Sequence, residues 1–204
     1  MSKCTQDIRV CFIGDSMVHG TGDPDCLGWV GRVGQAMRGQ EWDLTIYNLG
    51  VRRETSLQIE QRWRREVTCR LPIECDRRLV FSFGVNDTTL EDDKLRVNVE
   101  ASVACARRIL GKAKQQYPVL MIGPPVIADT DQNQRIAQLS DQYAALCTEL
   151  DVPYLAVYES LGRSSIWMQE AAAGDGAHPG AGGYTELAKL ILDWSVWQAW
   201  FPQP

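Results

Sequence analysis

Five short apolar runs, rich in β-branched residues, punctuate the chain at Arg9–Ile13, Leu44–Asn48, Leu79–Phe83, Val119–Ile122 and Tyr154–Val157. They are continuous rather than alternating, which is the pattern of parallel strands buried on both faces. Four of them end at or near a turn signal, at Gly14, Gly50, Gly84 and Gly123-Pro124-Pro125. Longer segments with helical spacing of apolar positions lie between and after them: Gly28–Arg38, Ser56–Val67, Leu95–Gln116, Gln132–Leu150 and Gly182–Trp200. This alternation predicts an α/β protein, a three-layer α/β/α sandwich around a five-stranded parallel sheet. Right-handed crossovers make it doubly wound, and such sheets bind ligands beyond the carboxyl ends of their strands. No repeat, linker or low-complexity tract divides the 204 residues, so one domain over 1–204 is expected.

Composition narrows the class of protein. With 45% hydrophobic and 23% charged residues the chain is globular, and its formal net charge of −5 argues against a nucleic-acid partner. One stretch is locally cationic. Arg52, Arg53, Arg62, Arg64, Arg65, Arg70, Arg77 and Arg78 are interleaved with Glu54, Glu60, Glu66, Glu74 and Asp76, which reads as a solvated helix face laced with ion pairs. The N-terminal MSKCTQDIRV lacks the apolar core of a signal peptide, and no window is apolar enough to insert stably in a membrane. Of the seven cysteines, Cys11 and Cys147 fall in apolar-periodic segments, where a thiol packs as a small hydrophobe. No C-x-x-C pair is present, so neither a zinc site nor a redox motif is expected, and the cysteine usage points to a reducing, cytoplasmic location.

The polar residues that could do chemistry follow strand ends. Ser16 comes three residues after the first strand, in F-I-G-D-S-M-V-H-G. A serine hydroxyl is a weak nucleophile until a base takes its proton, and the base needs a third group to fix its tautomer. His178, in G-D-G-A-H-P, suits the base, and Asp175 three residues earlier suits the orienting group. Gly174 and Gly176 allow the loop to bend, and Pro179 suits the first turn of the last helix. Acyl transfer also needs donors for a developing oxyanion. The backbone N–H groups of Ser16 and Gly50 and the side-chain amide of Asn86 are the candidates. Bland roles compete with these: a turn hydroxyl for Ser16, a turn cap for Asn86, a bracing carboxylate for Asp15 and Asp87. His19, the only other histidine, is the rival base.

These same blocks carry a resemblance. G-D-S at 14–16, N-L-G at 48–50, G-V-N-D at 84–87 and D-G-A-H-P at 175–179 resemble, in order and spacing, the four blocks of the SGNH hydrolases, the GDSL-type lipases and esterases. The resemblance implies a flavodoxin-like fold and hydrolysis of esters or thioesters with no metal or cofactor. It makes Ser16 the nucleophile, His178 the base, Asp175 its orienter, and Ser16, Gly50 and Asn86 the oxyanion hole. Two positions depart from the pattern. Met17 replaces leucine, a swap that keeps volume and polarity. Arg53 stands where many members carry a second glycine, so Arg52 and Arg53 charge the substrate rim and are candidates for contacting an anionic part of the substrate. The competing reading for both is an ion pair with Glu54 or another nearby acid.

The short chain has no lid insertion, which favours small or single-chain acyl esters. Two other functions compete. One is a non-enzymatic flavodoxin-like protein that holds flavin or phosphate on the Ser16–Gly22 loop. The other is an inactive scaffold. Trp194, Trp197 and Trp200 form one helical stripe. Packing of the last helix on the domain is its usual meaning, and a homo-oligomer contact through that helix is the alternative.

Overall fold

The computed structural model describes residues 6–38 and 42–201; residues 1–5, part of the N-terminal stretch weighed above as a leader, lie outside the described residues. In chain order the elements are β1 (Asp7–Gly14), α1 (Ser16–His19), α2 (Gly28–Ala36), β2 (Asp43–Gly50), α3 (Ser56–Thr68) and β3 (Asp76–Ser82). A short 3-10 turn (Asn86–Thr88) leads into a small hairpin, β4 (Leu90–Glu91) and β5 (Lys94–Leu95). There follow α4 (Val99–Ala113), β6 (Val119–Ile122), α5 (Thr130–Glu149), β7 (Tyr154–Leu155), α6 (Tyr158–Gly162), α7 (Ser165–Ala173), α8 (Ala181–Leu192) and α9 (Ser195–Trp200). The five-stranded sheet has the order β2-β1-β3-β6-β7 and is parallel throughout. The expected three-layer, flavodoxin-like sandwich is therefore the observed fold.

Strand side chains alternate between two buried layers. Cys11 and Ile13 of β1 join Leu79 and Phe81 of β3 and Met121 of β6 on one face, under Ile59 and Trp63 of α3 and Tyr143 of α5. Ile8, Val10 and Phe12 join Val80 and Leu120 on the other, under Trp29 of α2, Trp167 of α7 and Leu187 of α8. Both faces being dry in β1, β3 and β6 explains why those strands read as unbroken apolar runs. Cys147 is buried in the first layer.

Three helical predictions shift. The helix expected from Leu95 begins at Val99, because Asn98 caps it by accepting the Ala101 N–H at 2.8 Å. The helix expected from Gln132 begins at Thr130, capped by Asp129. The one expected over Gly182–Trp200 is two helices, broken where Trp194 takes an extended conformation (φ −73°, ψ 120°). The break turns the aromatic stripe beneath the sheet. Trp197 packs on Phe12 and Phe201, with ring centroids 6.1 and 5.0 Å apart, while Trp194 and Trp200 pack on the edge of the same layer. Short α1, α6, α7 and the β4–β5 hairpin were not predicted; each is too short to establish a period, α7 excepted, whose apolar residues are spread around the helix.

The strand ends that matter most meet at Gly14. It pairs with Gly50 on one side and Ser82 on the other, and a Cβ built on it would lie 1.9 Å from Ser82 O and 2.5 Å from Val18. Only a residue without a side chain permits this approach. Gly14→Ala is expected to destabilise the fold by about 1–3 kcal/mol, the usual cost of forced overpacking, as measured by urea unfolding. Unchanged stability would show that the strand ends can part without cost.

Candidate active site

Beyond Gly14 the chain turns sharply into α1. Asp15 caps that single turn, its Oδ1 accepting the Met17 N–H at 2.9 Å. Ser16 is therefore the first residue of a helix, held just past the carboxyl end of β1 and only 6% exposed. Its Oγ lies 2.7 Å from His178 Nε2. His178 Nδ1 in turn lies 2.7 Å from Asp175 Oδ2. An ionised Asp175 accepts from Nδ1–H, which assigns the tautomer that leaves Nε2 free to accept from the serine. The second carboxylate oxygen, Oδ1, accepts the N–H groups of Ala177 and His178 at 3.0 and 2.9 Å. Burial pushes the Asp175 carboxyl up, but these backbone donors and the imidazole outweigh it and hold the group down at about 2.

The histidine loop is anchored at both sides. Glu170 of α7 accepts the N–H groups of Gly180, Gly182 and Gly183 at 3.0, 3.1 and 2.6 Å, capping α8 immediately after the loop. Ala128 N–H donates to Gly176 O at 2.8 Å, tying in the segment after β6. Beneath the site, Met17, Val85, Ile127 and Ile136 form a small apolar cluster with Ala177 and Tyr158 against it. Three of these are chain neighbours of Ser16, Asn86 and His178, so one packed cluster indexes three segments. The rival base, His19, is exposed; its Nδ1 faces Thr21 Oγ1 at 3.4 Å, and no bond joins it to Ser16.

The oxyanion candidates are less simply arranged. Asn86 Nδ2 donates to Glu54 O at 3.0 Å and to Asp15 Oδ2 at 3.3 Å, which orients the amide next to the serine loop. Gly50 differs from expectation. Its N–H donates to Asn48 Oδ1 at 3.0 Å, and Asn48 Nδ2 donates to Val18 O at 2.8 Å, so that donor is already engaged. Glycine is needed at 50 for another reason: a Cβ there would lie 2.1 Å from His19 N. The backbone N–H groups of Ser16 and Arg53 have no acceptor among the described residues. Arg53 has φ 65°, in the turn closed by Glu54 N–H to Val51 O at 3.4 Å. A non-glycine residue adopts that left-handed conformation at a cost.

The rim arginines separate. Arg53 is 80% exposed and faces Glu91 at 3.5 Å, whereas Arg52 is exposed with no ion pair among the described residues. Glu54, expected as their partner, pairs instead with Arg62 at 2.6 Å. Asp87 braces neighbouring helices rather than its own turn: it accepts the Ser56 N–H at 2.8 Å and the Ser102 hydroxyl. The Ser16–Gly22 loop makes a poor phosphate cradle. The N–H groups of Met17, His19, Gly20 and Thr21 all donate within the loop, and the Asp15 carboxyl lies beneath it. No group of three or more His, Cys, Asp or Glu side chains is placed to hold a metal among the described residues, and no helix among them is long and apolar enough to cross a membrane.

Comparison with known proteins agrees with this fold. The family model described as GDSL-like lipase/acylhydrolase matches residues 12–185. Among solved structures, a lipase/acylhydrolase from Enterococcus faecalis is similar at 24% identity, over 91% of this chain and 93% of that one, with a TM-score of 0.73. An acetylxylan esterase from Geobacillus stearothermophilus is similar at 18% identity, over 93% and 94% of the two chains, with a TM-score of 0.75. At these identities the likeness speaks for the fold. No curated protein sequence matches the chain.

Asp15 generates a pH prediction. It is 1% exposed, and burial pushes its carboxyl up to about 7, with the Met17 N–H opposing and the neighbouring Asp87 carboxylate reinforcing the rise. Between about pH 4 and 7 the folded state then holds a proton that the unfolded chain has released, so stability falls as pH rises through that window. Asp15→Asn keeps a capping side chain and removes the titration. Urea-unfolding free energies of the wild type should therefore decline relative to Asp15→Asn across this range. A difference independent of pH would refute the assignment.

Proposed function

The chain belongs to the GDSL-like lipase/acylhydrolase family, and we propose that it is a single-domain serine hydrolase of small acyl esters or thioesters. The observation that carries this reading is the pair of 2.7 Å hydrogen bonds linking Asp175, His178 and Ser16. In it, Ser16 Oγ attacks the substrate carbonyl as His178 Nε2 takes the hydroxyl proton. Asp175, held ionised by two backbone donors, keeps the imidazole in the required tautomer and stabilises the imidazolium that forms. His178 then protonates the leaving alcohol or thiol. Water, deprotonated by the same nitrogen, attacks the acyl-enzyme and releases Ser16.

The tetrahedral oxyanion is assigned to the Ser16 N–H and the Asn86 amide, two members of the expected trio; the amide gives up its longer contact, 3.3 Å to Asp15 Oδ2, to the oxyanion and keeps the one to Glu54 O. For the third donor, the engaged Gly50 N–H gives way to the unpartnered N–H of Arg53, three residues further along the same loop. Donors aimed at charge that develops only in the transition state raise kcat rather than ground-state affinity. The buried apolar cluster of Met17, Val85 and Ile127, packed against Ala177 of the histidine loop, favours a short acyl group. An acetyl ester is the first class to try, which is also the chemistry named for the acetylxylan esterase of the same fold.

Hydrolysis of p-nitrophenyl acetate and butyrate by the wild type, with Ser16→Ala reduced to background, is the expected result. Activity in Ser16→Ala equal to the wild type would end the reading, and a chain-length optimum at twelve or more carbons would end its small-acyl part. Arg52 gives a second test. Reversing its exposed charge in Arg52→Glu should lower kcat/KM for an anionic ester relative to a neutral one by about two- to five-fold, the size of a solvent-exposed charge contact. An unchanged ratio would remove Arg52 from the substrate rim.

A further inference from the structure

Within the arginine-rich stretch, Arg62 and Arg78 turn inward, Arg78 onto Asp76 and the Trp200 carbonyl far from the serine, and Arg62 toward the strand ends. Arg64 and Arg65, its neighbours on α3, are exposed, whereas the Arg62 side chain is 17% exposed and points at the sheet. Its Nη2 donates to Gly14 O at 3.0 Å and to Leu49 O at 2.9 Å, and its Nε donates to Glu54 Oε2 at 2.6 Å. Those two carbonyls close β1 and β2 and immediately precede the Asp15-Ser16 and Gly50 loops. The main-chain carbonyl of Glu54 is the acceptor that orients Asn86 Nδ2. One guanidinium thus reaches the serine loop, the 51–54 turn and, through Glu54, the Asn86 amide.

The helix that carries Arg62 is itself fixed. Thr55 N–H donates to Gln58 Oε1 at 2.8 Å at its start, and Ser56 N–H donates to the buried Asp87. A planar guanidinium can bond two carbonyls and a carboxylate from one rigid fork, and an ammonium cannot reproduce that spread. A half-buried cation with these three acceptors is compensated, so its geometry is well determined.

We propose that Arg62, acting with Glu54, is a positioning residue that sets the spacing of the oxyanion donors. It touches neither substrate nor the reacting atoms. The inference rests on the esterase reading above and adds to it where transition-state stabilisation is controlled. Loosening the clamp leaves the ester's ground-state contacts in place but misaligns the donors, so the loss falls on kcat rather than KM.

The test uses Arg62→Lys and Glu54→Gln in the full chain, assayed with p-nitrophenyl acetate. Active serine is counted by phosphorylation with p-nitrophenyl diethyl phosphate taken to completion, and Ser16→Ala is run alongside. The expected outcome is a fall in kcat per titrated serine of about 10- to 100-fold, the scale of misplacement effects, with KM within about twofold. A merely structural role would instead reduce the number of titratable sites and leave kcat per site unchanged. If Arg62→Lys does not fold, Glu54→Gln decides the matter, since it keeps both carbonyl contacts and the side-chain shape. Wild-type kcat per site with an inactive Ser16→Ala would overturn the clamp alone. An active Ser16→Ala would overturn the esterase reading and the clamp with it.

Discussion

The parallel pairing of β1 on both of its edges is the constraint from which the rest follows. With Gly14 opposite both Gly50 and Ser82, three strands end at one level. Their loops must then leave from a common rim, carrying Ser16, the 51–54 turn and Asn86. The absence of a side chain at 14 keeps these ends close enough for single side chains to bridge them. Asn86 can reach Asp15 and Glu54 at once, and Arg62 can reach Gly14 and Leu49 at once. His178 arrives from outside the sheet, so it needs separate moorings. Glu170 on the helix start and Ala128 on the loop supply them.

The rim is dense in carboxyl groups. Asp175 and Glu170 are answered by backbone N–H groups, Glu54 by Arg62, and Asp87 by Ser56 and Ser102. Burial drives both Asp15 and Asp87 toward their neutral forms, Asp15 up to about 7. A carboxyl held near neutrality beside Asn86 adds less repulsion to an adjacent oxyanion than a fixed carboxylate would. The same group caps α1, so it combines a structural contact with a tunable charge.

Much of this was legible in the chain. Strands buried on both faces leave unbroken apolar runs, and all five were found within a few residues. Asp175 and His178 were legible because their contact is local, three residues apart in one loop. Ser16 was legible because it follows a strand end. The oxyanion side was harder. That Asn48 would occupy the Gly50 N–H is a side-chain-to-backbone choice with no periodic signature. Arg62 was hidden among eight arginines, because its acceptors are main-chain carbonyls of residues 14 and 49, brought together only by topology. Its place one residue before buried Trp63 and three after buried Ile59 was the available hint. The break at Trp194 was missed because the tryptophan spacing runs straight across it.

The contact between Ser16 and His178 spans 162 residues. On a ribosome, Ser16 emerges early and waits through the synthesis of nearly the whole sheet before His178 exists. Phe12 and Trp29 wait longer still for Trp197 to cover them. The Ser16–His178 contact therefore cannot form until the last helices begin to appear, and its formation reports that the domain has closed. Proteolytic loss of that terminal region would remove His178 and uncover the aromatic core in one cut.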